Sequence, residues 1–194
     1  MNYKNEDRTL LILDLDETLI HARKEKLGYK EDFEIFGYYI YKRPFLDEFL
    51  EEVQKDFLIA IWSSASDDYV QRVTEEIVSS EISLEFVWGR SRCTLKRNWD
   101  INNERIINPN RDHHHYTKPL KKLKRQGYKI ERILIVDDSP HKSKENYGNA
   151  IYPIEFLGDS NDKELDLLLS YLKKLKDKSN VRGIEKRRWR SQID

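Results

Sequence analysis

Cysteine is all but missing from this 194-residue chain. Cys93 stands alone, so no intrachain disulfide can form and a disulfide-stapled scaffold is excluded. Such sparing use fits a reducing, intracellular setting. Long apolar runs are missing too. None approaches the length of a membrane span, so no membrane partner is expected. The first eight residues, Met1 to Arg8, are polar and lack the apolar centre of a signal peptide. These absences point to a cytoplasmic protein. No internal repeat and no low-complexity segment occurs outside a basic tail.

Net charge is absent as well, because 35 Lys and Arg balance 35 Asp and Glu. The balance hides an asymmetry. Residues 1–89 hold 10 basic and 20 acidic side chains, whereas residues 90–194 hold 25 and 15. The basic excess gathers at Lys173, Lys174, Lys176, Lys178, Arg182, Lys186, Arg187, Arg188 and Arg190. A cluster of this kind can attract a polyanion such as nucleic acid. The plainer reading is a solvated helix face and a terminal arm.

What is present is enough for one well-buried domain: 38% of the residues are hydrophobic. The expected organisation is a single domain over residues 1–176 and a basic tail over 177–194. Strand-like and helix-like segments alternate, which predicts a three-layer, Rossmann-like α/β fold with a parallel sheet and helices on both faces. Thr9 to Leu13, Phe57 to Trp62, Leu84 to Trp88 and Ile133 to Val136 read as buried strands. Ala150 to Ile154 reads as an edge strand, where Pro153 is tolerated. Helical spacing follows Pro44 (Phe45, Leu46, Phe49, Leu50, Val53), and Asp67 or Asp68 is expected to cap a second helix. A third helix is expected from Pro119 to near Gly127. Asp159, Ser160 or Asn161 is expected to cap a last one. Residues 20–43 read as a β-hairpin insert and residues 94–116 as a loop or a second hairpin. No stretch reads as a large cap domain.

The chemistry lies at the strand ends. Leu10-Leu11-Ile12-Leu13 runs directly into Asp14-Leu15-Asp16, with Thr18 beyond. Ser63, Ser64 and Ser66 follow the second strand, and Asp137, Asp138 and Ser139 follow the fourth. Lys118 stands alone before a helix. In a parallel sheet such ends converge on one crevice. Four carboxylates cannot all ionise side by side without counter-charge. A hard divalent cation with oxygen ligands answers this, and Mg²⁺ is the expected one. Carboxylates, a lysine, hydroxyls and Mg²⁺ together suit phosphoryl transfer, with an aspartate as nucleophile.

These residues resemble a known family. Asp14-Leu15-Asp16-Glu17-Thr18-Leu19-Ile20-His21 is similar to the first motif of haloacid dehalogenase-superfamily phosphatases. The closer resemblance is to their small C-terminal-domain phosphatase (NIF-like) branch. Lys42 to Leu50, Ile135 to Pro140 and Asn146 to Ile151 resemble that branch too, and the likeness spans residues 9–176. It implies that Asp14 is nucleophile and metal ligand. It implies that Asp16 is acid and then base, with its main-chain carbonyl on the metal. Thr18 would help orient Asp16 and the loop. Ser63 stands where the family usually has threonine and would donate to phosphate, with Ser64 beside it. Lys118 would bridge phosphate and acid cluster. Asp138 would hold the metal directly or through water, with Asp137 beside it. Tyr69 and Arg90 fall where relatives contact substrate.

The chain also departs from the pattern. Asp137-Asp138 replaces the Asp-Asn of many eukaryotic relatives, which adds a charge and should tighten metal dependence. The insert at 20–43 is short and offers no evident counterpart of the pocket with which relatives grip a proline-rich peptide. The segment 94–116 is longer than in those relatives.

The remaining candidates have plainer readings. His113-His114-His115 cannot converge on one ion from adjacent positions and reads as a surface loop. His21 either reaches the site or packs beside it. Cys93 reads as a small buried residue. The expected function is a Mg²⁺-dependent phosphomonoesterase acting through an aspartyl-phosphate on phosphoserine or phosphothreonine of a protein. Two alternatives remain: the same chemistry on nucleic-acid 3′-phosphates or small phosphoesters, and a non-catalytic binding module.

Overall fold

The structure, a computed structural model, describes residues 3–5, 7–97 and 114–193, with the side chains of residues 97 and 114 excepted. Strand β1 is Thr9–Leu13, and every residue of it is buried. An insert follows, built from β2 (Ile20–Arg23), β3 (Phe33–Ile35) and β4 (Tyr38–Lys42). It is a three-stranded antiparallel sheet in the order β2-β4-β3. Helix α1 (Leu46–Asp56) leads to β5 (Phe57–Trp62), and α2 (Asp67–Ile77) leads to β6 (Leu84–Trp88). An antiparallel pair, β7 (Thr94–Arg97) with β8 (His114–Thr117), comes next. It realises the hairpin alternative for residues 94–116, whose central part lies outside the described residues. Helix α3 (Lys121–Lys124), β9 (Ile133–Val136), α4 (Pro140–Ser143), β10 (Ala150–Ile151) and α5 (Glu164–Leu175) complete the chain.

The main sheet has the order β10-β9-β1-β5-β6 and all its pairings are parallel. Side chains alternate across it because strand residues point to opposite faces in turn. Leu11, Leu13, Ile59, Ile61, Leu134 and Val136 join the inner residues of α1, α2 and α5 on one side. Leu10, Ile12, Ala60, Trp62, Ile133 and Ile135 meet Leu120, Leu123 and Tyr128 on the other. This is the three-layer α/β arrangement read from the alternation of segments.

The helix ends differ from expectation. Ser66, not Asp67 or Asp68, precedes α2. Lys163 stands at the cap of α5, and it is Asp162 whose Oδ1 accepts from the Glu164 N–H at 2.8 Å. Helix α3 is a single turn, and the chain reaches Gly127 (φ 88°) through further turns. Proline at 153 confines β10 to two residues.

The tail is not a solvated arm. Val181 and Trp189 are buried, the Val181 N–H bonds to the Glu131 carbonyl, and the Trp189 indole N–H bonds to the Tyr152 carbonyl. Some of its cations are engaged as well. Lys186 donates to the carbonyls of Gly148, Val181 and Ile184, and Arg190 pairs with Glu164.

Candidate active site

The parallel order sets the ends of β9, β1 and β5 side by side, and each continues directly into a polar residue. The Asp14 N–H extends the ladder to the Val136 carbonyl at 3.0 Å, the Asp137 N–H reaches the Ile151 carbonyl at 3.2 Å, and the Ser63 N–H reaches the Trp88 carbonyl at 2.9 Å. Main-chain pairing therefore fixes the bases of Asp14, Asp137 and Ser63. Past Asp14 the chain turns tightly. The N–H groups of Thr18, Leu19 and Ile20 all point at the Leu15 carbonyl, and Glu17 takes a left-handed φ of 60°.

Asp14 is fully buried between two ammonium groups. Lys118 Nζ lies 2.8 Å from its Oδ1 and Lys142 Nζ 2.9 Å from its Oδ2. Burial alone would raise its pKa, but the two lysines outweigh burial and hold the carboxyl below its ordinary value. Asp16 has the opposite balance. Burial and the charge of Asp14 push its pKa up, against hydrogen bonds from Tyr69 Oη to Oδ1 (2.7 Å) and from Ser63 Oγ to Oδ2 (3.3 Å).

The far wall is equally tied. Lys118 Nζ donates to Asp137 Oδ2 at 2.7 Å, and the Ser139 N–H to Asp137 Oδ1 at 2.9 Å. Lys118 is itself fully buried. Desolvation opposes its charge, but Asp137 and Asp14 outweigh it and raise its pKa. Thr18 binds Asp138 rather than Asp16: its hydroxyl accepts the Asp138 N–H at 3.2 Å and faces Oδ1 at 3.4 Å. The expected orienting role toward Asp16 falls instead to Tyr69 and Ser63.

Asp14, Asp137 and Asp138 each offer a carboxylate oxygen within 4.8 Å of the others. Hard oxygen donors at that spacing fit a divalent cation such as Mg²⁺ or Ca²⁺. The charge fits too. Asp14, Asp137 and Asp138 bring three negative charges to one place, and the fully buried Lys118 offsets one of them, which leaves the two that a divalent ion matches. Asp16's side chain is turned to Tyr69 and Ser63 and is not part of that group. No histidine joins it among the described residues. His113 lies outside them, and His21 bonds Glu17 at 2.7 Å and packs edge-on to Phe156. Cys93 is buried under the Ser63 and Gly89 carbonyls.

Beside Asp16 opens a cleft of about 360 Å³, walled by Phe36 and Tyr38 from the insert and by Tyr69 and Arg90 from the sheet side. The short insert thus does shape a cavity. Nothing in the reading of residues 20–43 as a hairpin insert marked Phe36 and Tyr38 as a wall. Arg90 Nε donates to the Ser64 carbonyl at 2.9 Å. Two further residues went unassigned in the sequence. Lys142 follows Asp138 by four positions, a helical spacing that could have revealed it. Arg43 is buried, bonds Asp162 twice and donates to the Thr18 carbonyl at 3.0 Å, which pins the turn behind Asp16.

A family model, that of the NLI interacting factor-like phosphatases, matches residues 9–182. The chain belongs to this family. Nuclear envelope morphology protein 1 of Saccharomyces cerevisiae is 28% identical over 195 residues, taking in 90% of this chain and 40% of that protein. CTD nuclear envelope phosphatase 1B of Danio rerio is 26% identical over 195 residues, covering 93% and 72%. The chain thus spans well under half of the yeast relative's length. Among solved structures, that of Fcp1, an essential RNA polymerase II CTD phosphatase, matches the fold with a TM-score of 0.55 at 20% identity, over 90% of this chain and 52% of that one.

These family members correct the cytoplasmic expectation. Their names point to the nuclear envelope rather than to plain cytoplasm. A lone cysteine and short apolar runs report redox setting and span length, and neither encodes an address. Among the described residues no helix is long and apolar enough to cross a membrane.

Proposed function

We propose that the protein is a Mg²⁺-dependent phosphomonoesterase that acts through an aspartyl-phosphate on Asp14. One observation carries the reading: Asp14 and Asp16 are neighbours with opposite surroundings. Two ammonium groups keep Asp14 ionised, and burial beside that charge keeps Asp16 disposed to hold a proton. Carboxylates pushed apart in this way divide the roles of nucleophile and acid.

In the first half-reaction an Asp14 carboxylate oxygen bonds to phosphorus while the phosphorus–oxygen bond to the leaving group breaks. Asp16 gives its proton to the departing alkoxide. In the second, Asp16 takes a proton from water as that water attacks phosphorus. The acyl-phosphate bond then breaks, releasing phosphate and Asp14. Ser63 would donate its hydroxyl to a phosphoryl oxygen, and Lys118 would offset charge as it builds. Asp14, Asp137 and Asp138, with the Asp16 carbonyl, would hold Mg²⁺, which supplies charge neutralisation at the phosphoryl oxygens.

The substrate class we favour is phosphoserine or phosphothreonine on a protein segment. The cleft lined by Tyr69, Arg90 and the insert's aromatics supports it, with Arg90 held by the Ser64 carbonyl. So do the relatives whose names specify CTD phosphatases. The unit we assign to this activity is one domain over residues 1–176, with the described tail residues Val181 and Trp189 packed against it.

The test is hydrolysis of a phosphoserine peptide and of an aryl phosphate, with Mg²⁺ and with EDTA. Both substrates should turn over only with the metal, and Asp14→Asn should abolish turnover. Asp16→Asn should lower turnover about 10²–10⁴-fold with little change in the affinity for a phosphate analogue. Turnover by Asp14→Asn at the wild-type rate would end the proposal.

A further inference from the structure

Lys142 has no step of its own in that mechanism beyond its share in keeping Asp14 ionised, yet its ammonium stands in the middle of the acidic group. Nζ lies 2.9 Å from Asp14 Oδ2, 3.6 Å from Asp137 Oδ1 and 3.9 Å from Asp138 Oδ1. Those three residues are the ones whose oxygens come within 4.8 Å of one another. A divalent ion bound to them sits about 2–2.6 Å from each ligand oxygen. Two cations cannot share that space.

We propose that Lys142 is the resident counter-cation of this site, occupying the space among Asp14, Asp137 and Asp138 until a divalent cation displaces it. This rests on the metal-binding reading above. The surroundings permit the exchange. The Lys142 backbone is anchored, since its carbonyl accepts the Lys118 N–H at 2.8 Å and its N–H donates to the Ser139 carbonyl at 3.0 Å. The side chain is 15% exposed, whereas that of Lys118 is fully buried. Lys142 can therefore swing outward without moving α4, and Lys118 has no such route. The ammonium holds the carboxylates together when metal is scarce, and it lowers the site's affinity because the metal must first evict it.

The test is Mg²⁺ binding by calorimetry, with melting temperatures measured with and without MgCl₂, on wild type, Lys142→Gln and Lys142→Arg. Lys142→Gln should bind Mg²⁺ at least about tenfold more tightly, the lower end of what one adjacent charge does to cation binding at a carboxylate. Without metal it should melt below wild type, and it should gain more from Mg²⁺. Lys142→Arg, which keeps the charge, should bind no more tightly than wild type. Equal or weaker binding by Lys142→Gln, with wild type still binding, overturns the inference and leaves the metal reading intact. No binding by either overturns both. If Lys142→Gln is unfolded without metal, recovery on adding MgCl₂ supports the inference and failure to recover overturns it.

Discussion

Residue by residue, the site is built from conflicts that neighbours resolve, and one conflict nearby stays unresolved. Phe45 heads α1 with φ 65° and ψ 15°, a left-handed conformation. A side chain there costs about 1–2 kcal/mol, and the ring is half exposed, so packing recovers little. Phe45→Gly should relieve that strain against about 0.5–1 kcal/mol of added chain entropy. The expected outcome is a modestly higher urea midpoint. A lower midpoint would mean that the ring contributes more than the strain costs. Single residues were unevenly legible. Asp14, Asp16, Asp137 and Asp138 stood out because carboxylates abutting apolar strands have few structural uses, whereas Lys118 stood out only through the family resemblance. Lys142 did not, because a lysine in a basic stretch reads as solvated until its distances are known. Thr18 was recognised as belonging to the site, but its tie to Asp138 was not, since a hydroxyl near two aspartates can serve either.

Elements were more legible where burial was continuous. The first four parallel strands could be read to the residue because each is dominated by apolar residues, broken only by Thr9 at the start of β1 and Glu85 in β6. The single turns α3 and α4 are too short to show a 3.6-residue period, and the helix caps are made by neighbours rather than by the expected Asp residues. What joins the elements around the site is a tie that no local pattern reveals. Arg43, at the end of the insert, reaches the carbonyls of Thr18 and Ile154 and pairs with Asp162 at 2.8 Å ahead of α5. Its side chain is fully buried. Asp162→Ala would strand that guanidinium without an anion. Loss of one partner of a buried pair typically costs about 3–5 kcal/mol, and a drop of that order is expected in denaturant melts. A change within about 0.5 kcal/mol, as at ordinary surface positions, would show that the carbonyls alone satisfy Arg43.

At the scale of the whole molecule, the basic tail closes the fold instead of trailing from it. Lys186 is 4% exposed and surrounded by main-chain carbonyls. Burial pushes its ammonium down to about 8 from 10.5, with Glu185 opposing. Between those values the unfolded chain carries the extra proton, so this residue makes stability rise as pH climbs from about 8 towards 10.5. Urea midpoints of wild type should therefore gain on those of Lys186→Met across that window. A wild type that loses ground would mean that the three carbonyls favour the charged form. The tail's docking was not legible because charge density masked Val181 and Trp189, two apolar residues with no shared period.

The charge asymmetry between the two halves also sets an order of events. Asp14 belongs to the acidic first half, but both of its counter-ions, Lys118 and Lys142, belong to the second. A chain emerging from the ribosome has β1, β5 and β6 long before either lysine. Burying an ionised carboxylate with no partner costs several kcal/mol, so β1 cannot be sealed at its carboxyl end at that stage. Closure must wait for Lys118 and Lys142, so the group proposed to attack phosphorus stays in water until well after most of the sheet's strands have emerged.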